Sequence, residues 1–391
     1  MSPTAIPGNL ILQSPTANDP LLDLNTQPSL DLQFATSKTL DDAVSGTNLI
    51  TFSRASSGTY VDSDGLIKTA VTDAPRFDHD PVTGESLGLL IEEERTNLLR
   101  YSEQFDQSAW SKTSGITLSS NVETAPDGNL TADGLTRTAT NEFMYSASSV
   151  TGTLTLSCWV KVASGTATFF MQSFSGADGG QTSPTKTATT EWQRFELTVS
   201  TTVPSNFYPC LGAINTTFYI WGAQLETGSF PTSYIPTTSS AVTRSPDIAT
   251  IEGTNFSSWY NQSEGTVYIT YQNRNVSTPF SAAKFNDGTG LNIITPVNNS
   301  NNATIITAGV IVFSETTSAN VYLQTLKRAL AFEENNTRLA ANGTLVGAVD
   351  TSVTIPVVNK VDIGTGTAGA IARLAYYPYR LADATLQEIT S

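Results

Sequence analysis

Apolar and polar residues alternate along many short segments of the chain, which predicts β-strands. In residues 153–162, apolar side chains stand at every second position from Leu154 to Val160. A period of two places successive side chains on opposite faces of a strand, so that one face is buried and the other is exposed. Related patterns predict further strands at 30–34, 87–91, 167–174, 193–199, 218–225, 265–271 and 328–332.

Turn-forming residues separate these segments. The sequences Asp62-Ser63-Asp64-Gly65 and Asn342-Gly343 supply the backbone freedom of tight turns, and Asn-Gly is a strong hairpin signal. Short strands at regular intervals with such turns are typical of antiparallel sandwiches. We therefore predict an all-β protein of tandem antiparallel β-sandwich (jelly-roll) domains with an extended N-terminal arm.

The chain divides into four predicted regions. Residues 1–28 contain five prolines and predict an extended arm that becomes ordered only against a partner; a terminus without fixed structure is the alternative. Residues 29–106 read as short strands and a junction. Residues 107–240 predict one jelly roll, and residues 241–391 a second sandwich. Residues 241–391 are few for a complete sandwich of this kind. In an alternative division, strands from residues 29–86 complete that sandwich, and the jelly roll is an insertion within it.

Composition narrows the choice of partners. The chain has 35 acidic and 20 basic residues, a net charge of −15, and its Lys and Arg residues are not clustered. Phosphate backbones and anionic membrane surfaces need clustered cations, so nucleic-acid binding is not expected. The longest early apolar run, Leu10–Leu12, is too short for a signal peptide, and no stretch has the length of a membrane span. We expect no membrane insertion.

Three motifs resemble segments of tailed-bacteriophage structural proteins. The first is LGLLIEEERTNLLRYSEQFDQSAW at 87–110, and the second pairs 110–135 with 218–237, which resemble the opening and closing segments of a carbohydrate-binding-module-like jelly roll. The third, at 369–390, resembles the end of a laminin-G/concanavalin-A-like sandwich. The resemblance covers residues 50–391. It implies a tail fibre, head fibre or capsid-decoration protein. Such a protein is assembled in the host cytoplasm, contacts other virion proteins and forms a homo-oligomer such as a trimer.

The acidic triplet inside the first motif invites a catalytic interpretation. Glu92, Glu93 and Glu94 precede Arg95. If the triplet continues the strand, neighbouring side chains point to opposite faces, so the three carboxylates cannot converge. We predict instead a structural junction formed by Arg95, Glu93 and Trp110, in which the arginine pairs with a carboxylate or with backbone carbonyls.

Other candidate chemistry is sparse. The single histidine, His79, lies between Asp78 and Asp80 in a turn, where a surface hydrogen bond is favoured over a metal site. The sequences around Asp178 and Asp287 are predicted to form turns, with calcium-binding loops as the alternative. Cys158 and Cys210 are either buried thiols or one disulfide. The sequence has no Gly-rich phosphate loop, zinc spacing or glycosidase carboxylate run, so no cofactor and no enzymatic activity are expected.

Aromatic residues provide the remaining functional candidates. Glycan binding requires exposed aromatic platforms beside fixed polar groups. The candidates for glycan contact, each with core packing as the alternative, are Tyr145, Phe174, Tyr208, Trp259 and Tyr260. We expect a non-enzymatic virion structural protein that contacts host surface glycans. The alternatives are a receptor-recognition protein of the tail and a polysaccharide depolymerase.

Overall fold

A computed structural model describes residues 27–274, 280–298, 302–317, 324–366 and 368–391. The predicted arm, residues 1–28, lies outside the described residues except for its last two positions. The predicted all-β class with antiparallel sandwiches is confirmed. Among the described residues, no helix has the length and apolar character needed to cross a membrane.

The elements follow one another in three groups along the chain. The first group contains β1 (Leu30–Leu32), α1 (Phe34–Ser37), β2 (Asp41–Asp42), β3 (Thr47–Asn48), β4 (Thr51–Ser53), β5 (Gly58–Val61), β6 (Ile67–Ala70), β7 (Phe77–His79), β8 (Ser86–Ile91) and β9 (Arg95–Asn97). The second contains β10 (Ser111–Lys112), β11 (Ile116–Glu123), β12 (Ala132–Arg137), β13 (Met144–Ser148), β14 (Gly152–Val162), β15 (Ala167–Ser175), β16 (Gly179–Thr182), β17 (Lys186–Ala188), β18 (Gln193–Thr201), β19 (Ser205–Gly212) and β20 (Thr217–Thr227).

The third group contains β21 (Val242–Arg244), β22 (Ile248–Glu252), α2 (Thr254–Ser257), β23 (Glu264–Asn273), β24 (Ser281–Asn286), β25 (Ile293–Thr295), β26 (Asn302–Thr307), β27 (Val310–Thr316), β28 (Thr325–Glu333), β29 (Thr337–Ala341), β30 (Thr344–Asp350), β31 (Lys360–Thr365), β32 (Gly369–Tyr377) and α3 (Asp383–Thr390). Asn342 and Gly343 join β29 to β30 with φ of 45° and 76°, so the predicted hairpin turn is confirmed.

The second group of strands forms one sandwich, here called the first sandwich. One sheet has the order β10-β13-β19-β15-β16, with β17 on β15, and the other has the order β11-β12-β20-β14-β18. Apolar side chains from both sheets fill the space between them. Cys158 and Cys210 both lie in this core as free thiols, and burial raises the pKa of Cys158 to about 12. The two cysteines therefore serve as small core residues.

The first and third groups together form the second sandwich. One of its sheets has the order β3-β2-β1-β32-β23-β28-β29-β30, with β7 and β8 attached beside β32, and the other has the order β27-β26-β25-β24-β31-β22-β4. Strands from the N-terminal group pair directly with C-terminal ones, β1 and β8 with β32 and β4 with β22. The division of the chain is therefore that of the alternative above, in which residues 98–241, including the first sandwich, are inserted into the second.

The insertion is entered and left through two paired strands. β9 leads into it and β21 leads out, and the two run antiparallel with Arg95 opposite Arg244. Asn97 then fixes this pair to the first sandwich, because its amide donates to the carbonyl oxygens of Ala223 and Ile235 and its Oδ1 accepts from Leu225 N at 3.1 Å. A two-stranded connection of this kind restrains the inserted sandwich more than a single linker would.

A buried group of five charged side chains lies where the two sandwiches meet. We call Arg54, Arg76, Glu92, Arg244 and Asp247 the charge cluster. Arg54 Nη1 lies 3.0 Å from Asp247 Oδ1, Arg76 Nη1 lies 2.8 Å from Glu92 Oε2, and Arg76 Nη2 also contacts Asp247. Arg244 Nε lies 3.5 Å from Glu92. All five side chains are at most 1% exposed, so their charges must be satisfied within the protein.

The charge cluster also reaches the segment that leaves the first sandwich. Ser233 donates to Glu92 from its backbone N at 2.8 Å and from its hydroxyl at 2.6 Å. Arg76 additionally donates to the Thr59 carbonyl oxygen of β5 at 2.8 Å. The ion pairs of the charge cluster therefore join segments before and after the insertion, and its hydrogen bonds connect them to the β5–β6 hairpin and to the first sandwich.

The structure corrects the predicted junction in two respects. Glu92 to Glu94 lie between β8 and β9 rather than in a strand, so their separation comes from burial: Glu92 is buried and Glu94 is exposed. Trp110 lies in the core of the first sandwich, because its indole is apolar apart from the N–H that it donates to Tyr101 O. Arg95 pairs with the Glu93 carboxylate, as predicted, and also stacks over Phe230, 4.8 Å from the ring centroid.

One local prediction was also wrong. Phe34 begins the short helix α1 rather than ending a strand, since the β1 ladder with β32 stops at Leu32. Farther along the chain, Ser102 bonds to the Tyr234 hydroxyl at 2.6 Å and so links the entry to the first sandwich with its exit.

The Glu92→Gln substitution tests the charge cluster against a neighbouring control. Removing the Glu92 charge leaves Arg76 and Arg244 buried with one carboxylate between them, and we expect a loss of about 3 kcal/mol in the free energy of unfolding. Glu94→Gln, two residues away and exposed, should change it by less than about 0.5 kcal/mol. Denaturant titration of both variants measures the difference; equal effects would contradict this role for the cluster.

The same residue predicts a dependence on pH. Burial acts to raise the pKa of Glu92, but Arg244, Arg76 and the Ser233 hydrogen bond outweigh it and hold the pKa well below its ordinary 4.5. A lowered folded-state pKa contributes stability above pH 4.5, which is lost as pH falls through the folded value. Unfolding free energies measured in acid should therefore fall less steeply in Glu92→Gln than in the wild type.

Candidate functional site

The outer face of one sheet of the first sandwich brings several aromatic side chains together. In β15, Phe169 and Met171 point into the core, so Phe170, Gln172 and Phe174 point outward. In β13, Met144 points inward and Tyr145 therefore points outward. We call the outward surface of β13, β19, β15 and β16 the aromatic face.

The strand register arranges the aromatic face in rows. Gln172 stands opposite Tyr208 on one side and Thr182 on the other. In the next row, Phe174 lies between Asn206 and Gly180. The first row therefore places a hydroxyl and an amide beside Tyr208, and the second places Phe174 between a polar and a small residue.

The aromatic rings of the face support one another. The Tyr145 and Tyr208 ring centroids lie 5.2 Å apart, and Phe143 contacts the edge of Tyr208 at 5.7 Å. Tyr208 is only 7% exposed, whereas Phe174 is 44% exposed and Tyr145 is half-buried. The candidate Tyr208 is thus a supporting ring under its neighbours rather than a platform, and Phe174 and Tyr145 present the accessible surfaces.

Amide side chains provide the polar part of the face. Gln172 Nε2 donates to Thr182 Oγ1 at 3.2 Å, and an amide has one more N–H and a carbonyl oxygen to offer. Gly180 leaves the space that this amide occupies, because a Cβ there would lie 2.8 Å from Gln172 Nε2. Burial raises the pKa of Tyr208 despite a hydrogen bond with Asn206, so its hydroxyl remains protonated at neutral pH.

The two candidates in the second sandwich do not form a platform. Trp259 is 6% exposed and packs in the core, 4.9 Å from Phe256 and 5.2 Å from Tyr376 between ring centroids, so this prediction is wrong. Tyr260 is half-buried and stacks on Phe256 at 4.6 Å. It forms one wall of an open groove of about 520 Å³ that Glu252 and Gln262 also line. The apolar space beneath β23 and β32 takes up the tryptophan.

The candidate metal-binding residues are occupied by local hydrogen bonds. His79 is 4% exposed rather than on the surface, and its Nδ1 donates to the Val61 carbonyl oxygen at 3.0 Å. Asp178 accepts from Thr202, and hydrogen bonds from Thr289 and Asn292 lower the pKa of Asp287 to about 2. In the part of the chain that the structure describes, no three His, Cys, Asp or Glu side chains come close enough to hold a metal ion.

Several residues of the aromatic face were not among the candidates. Gln172 and Asn206 supply its amides, and Phe143 and Phe170 extend its rings. The alternation around Phe174 could have indicated Gln172 and Phe170, because positions two apart share a face. By the same rule, Asn206 shares a face with Tyr208, and Phe143 precedes Tyr145 by two positions, so the candidate tyrosines could have indicated both.

Comparison with solved structures finds resemblances of low degree. The CBM22-1 xylan-binding domain of Paenibacillus barcinonensis Xyn10C is 13% identical, with 34% of this chain and 94% of that chain covered and a TM-score of 0.28. The CBM40 domain of the Ruminococcus gnavus IT-sialidase, bound to α2,6-sialyllactose, is 17% identical, covering 35% and 88%, with a TM-score of 0.29. Trypanosoma rangeli sialidase is 12% identical over 37% of this chain and 26% of its own, with a TM-score of 0.29.

Similarity of this degree does not carry a function over to this chain. No protein-family model and no curated protein matches the sequence. The functional argument therefore depends on the geometry of the aromatic face itself.

Paired alanine substitutions distinguish supporting rings from presented ones. Tyr208→Ala removes a ring that is 7% exposed and should lower the free energy of unfolding by about 3 kcal/mol. Phe174→Ala removes a ring that is 44% exposed and should cost less than about 1 kcal/mol. Thermal and denaturant unfolding of both variants gives the comparison. A larger loss for Phe174→Ala would mean that its ring is packed in solution and not presented.

Proposed function

We propose that this chain is a non-enzymatic glycan-binding protein whose first sandwich binds sugar on the aromatic face. The observation that supports this most directly is the placement of Phe174 and Tyr145 beside the amides of Gln172 and Asn206 on one outer sheet surface. A sugar ring has an apolar C–H surface and hydroxyl groups around its edge. Aromatic rings pack against the first, and amides bond to the second.

The location of these residues on strands favours binding over loose contact. β13, β19 and β15 are joined by backbone ladders, with one β-bulge between β15 and β19, so the side chains project from fixed positions. Sites on strands are held more closely than sites on loops, which reduces the entropy lost when a ligand binds. The supporting contact between Tyr145 and Tyr208 limits the movement of one platform ring further.

The wider setting proposed is the surface of a bacteriophage particle. Support comes from the sequence resemblance of residues 87–110, 110–135, 218–237 and 369–390 to virion fibre and decoration proteins. In this proposal the N-terminal segment attaches the chain to other virion proteins, homo-oligomerisation presents several aromatic faces together, and the sugar belongs to the host surface. Immunolabelling of purified particles tests this setting, and particles without label would contradict it while leaving sugar binding to be judged separately.

Substitutions on the aromatic face test the binding function. Phe174→Ala and Tyr145→Ala should each weaken binding to a polysaccharide selected on a glycan array by about ten-fold or more, since each removes one ring from a small contact surface. Isothermal titration calorimetry measures the change. Tyr219→Ala is the matched control, because Tyr219 is a half-buried aromatic residue on the opposite outer face of the same sandwich.

The proposal fails under two outcomes of this experiment. Either the wild-type chain binds no glycan of the array, or binding depends on Tyr219 and not on Phe174 and Tyr145. Unchanged thermal unfolding of the variants ensures that a lost signal reports binding rather than misfolding.

A further inference from the structure

The aromatic face carries no acidic or basic side chain. Its strand register assigns the following outward positions to the six strands of this sheet: Ser111, Tyr145, Ala147, Thr168, Phe170, Gln172, Phe174, Gly180, Thr182, Thr187, Asn206, Tyr208 and Leu211. The two lysines of these strands stand on the other side of the sheet. Lys112 is opposite Met144 and Lys186 is opposite Phe169, and Met144 and Phe169 are core residues. Lys112 Nζ is held there by the Phe105 carbonyl oxygen at 2.7 Å.

The opposite outer face of the same sandwich differs in charge. Lys161, Arg194, Glu196 and Glu226 all occupy outward positions of β14, β18 and β20. Two of these charges are matched by the chain itself: Arg194 Nη1 donates to Thr232 O at 2.6 Å, and Glu226 accepts from Thr232 N at 2.9 Å. Charged side chains thus stand on the outer face of β14, β18 and β20 and are missing from the outward strand positions of the aromatic face.

An uncharged face selects among ligands by their charge. A carboxylate or sulfate group that settles against these rings loses water and finds no cation to replace it. A hydroxyl group in the same place finds the amides of Gln172 and Asn206. The net charge of −15 adds a weaker, salt-screened repulsion of polyanions.

From this geometry we infer that the aromatic face binds neutral glycans and rejects acidic ones, an inference that rests on the proposed glycan-binding function. The face extends about 13 Å along β15 from Phe170 to Phe174, at about 3.3 Å per residue. It extends about 14 Å across the strands from β13 to β16, at about 4.8 Å per strand. A surface of this extent contacts a segment of a polysaccharide rather than a single sugar.

Polymer pairs that share a backbone and differ in charge provide the test. The probes are dextran with carboxymethyl dextran, and methyl-esterified polygalacturonate with polygalacturonate, together with a glycan array of neutral and acidic oligosaccharides, each applied to the full chain. Neutral probes should bind at least about ten-fold more tightly than their acidic counterparts, because a desolvated charge on the face finds no cation to pair with. Neutral binding should not change between low and physiological salt.

A designed cation on the face gives a second measurement. Gln172→Lys should gain salt-sensitive binding to the carboxymethylated polymer and lose affinity for the neutral one. Ser200→Lys adds the same charge at an exposed outward position of β18 on the opposite face, and should alter neither. Gain of acidic binding by both variants equally would show that total charge, not the face, decides selectivity, and would overturn the inference.

The outcomes separate the two proposals. Wild-type binding to the acidic member of a pair as tight as to the neutral one overturns the neutral-glycan inference, while the proposed function stands if Phe174→Ala abolishes that binding. Binding to no probe and to no glycan of the array overturns both. If the preference for neutral probes persists in Phe174→Ala and Tyr145→Ala, the binding site lies elsewhere on the chain. That result also overturns both proposals.

Discussion

The charge cluster is the interaction on which the arrangement of this molecule depends. Three arginines and two carboxylates are enclosed without water contact, and each of the carboxylates bonds to more than one arginine. Such a cluster is not a large net source of stability, because desolvation offsets much of its attraction. Its effect is on specificity: displacement of the segments that carry Arg54, Arg76 and Glu92 from the segment 244–247 would leave a charge buried without its partner. Ser233 extends that constraint into the first sandwich.

The consequence for function is a defined display of the aromatic face. The paired strands β9 and β21 carry the first sandwich, and the segment after β20 together with the β5–β6 hairpin covers one of its outer faces. On that covered face Trp221 packs against Tyr234 of the covering segment, at 4.5 Å between ring centroids. On the other face Phe174 is 44% exposed and Tyr145 is half-buried. A single insertion therefore has one aromatic surface used for assembly and a second one that we propose binds a ligand.

The sequence predicted the elements well and the tertiary contacts poorly. Alternation located strands such as β14 and β15, and Asn342-Gly343 located a hairpin, because both signals are local. Arg54 and Asp247 are 193 residues apart, and no local pattern pairs them. For aromatic residues the sequence predicts burial no better than exposure. Phe174 and Trp259 were equal candidates, yet one is on the surface and the other in the core, since the outcome depends on which face of which sheet is covered.

Hydrogen–deuterium exchange of the full chain with and without a bound neutral polysaccharide tests the central claim most directly. A ligand on the aromatic face should slow amide exchange in β13, β15 and β19, and should leave β14, β18 and the strands of the second sandwich unchanged. Slowed exchange confined to β14 and β18, or to the groove beside Tyr260, would contradict the account.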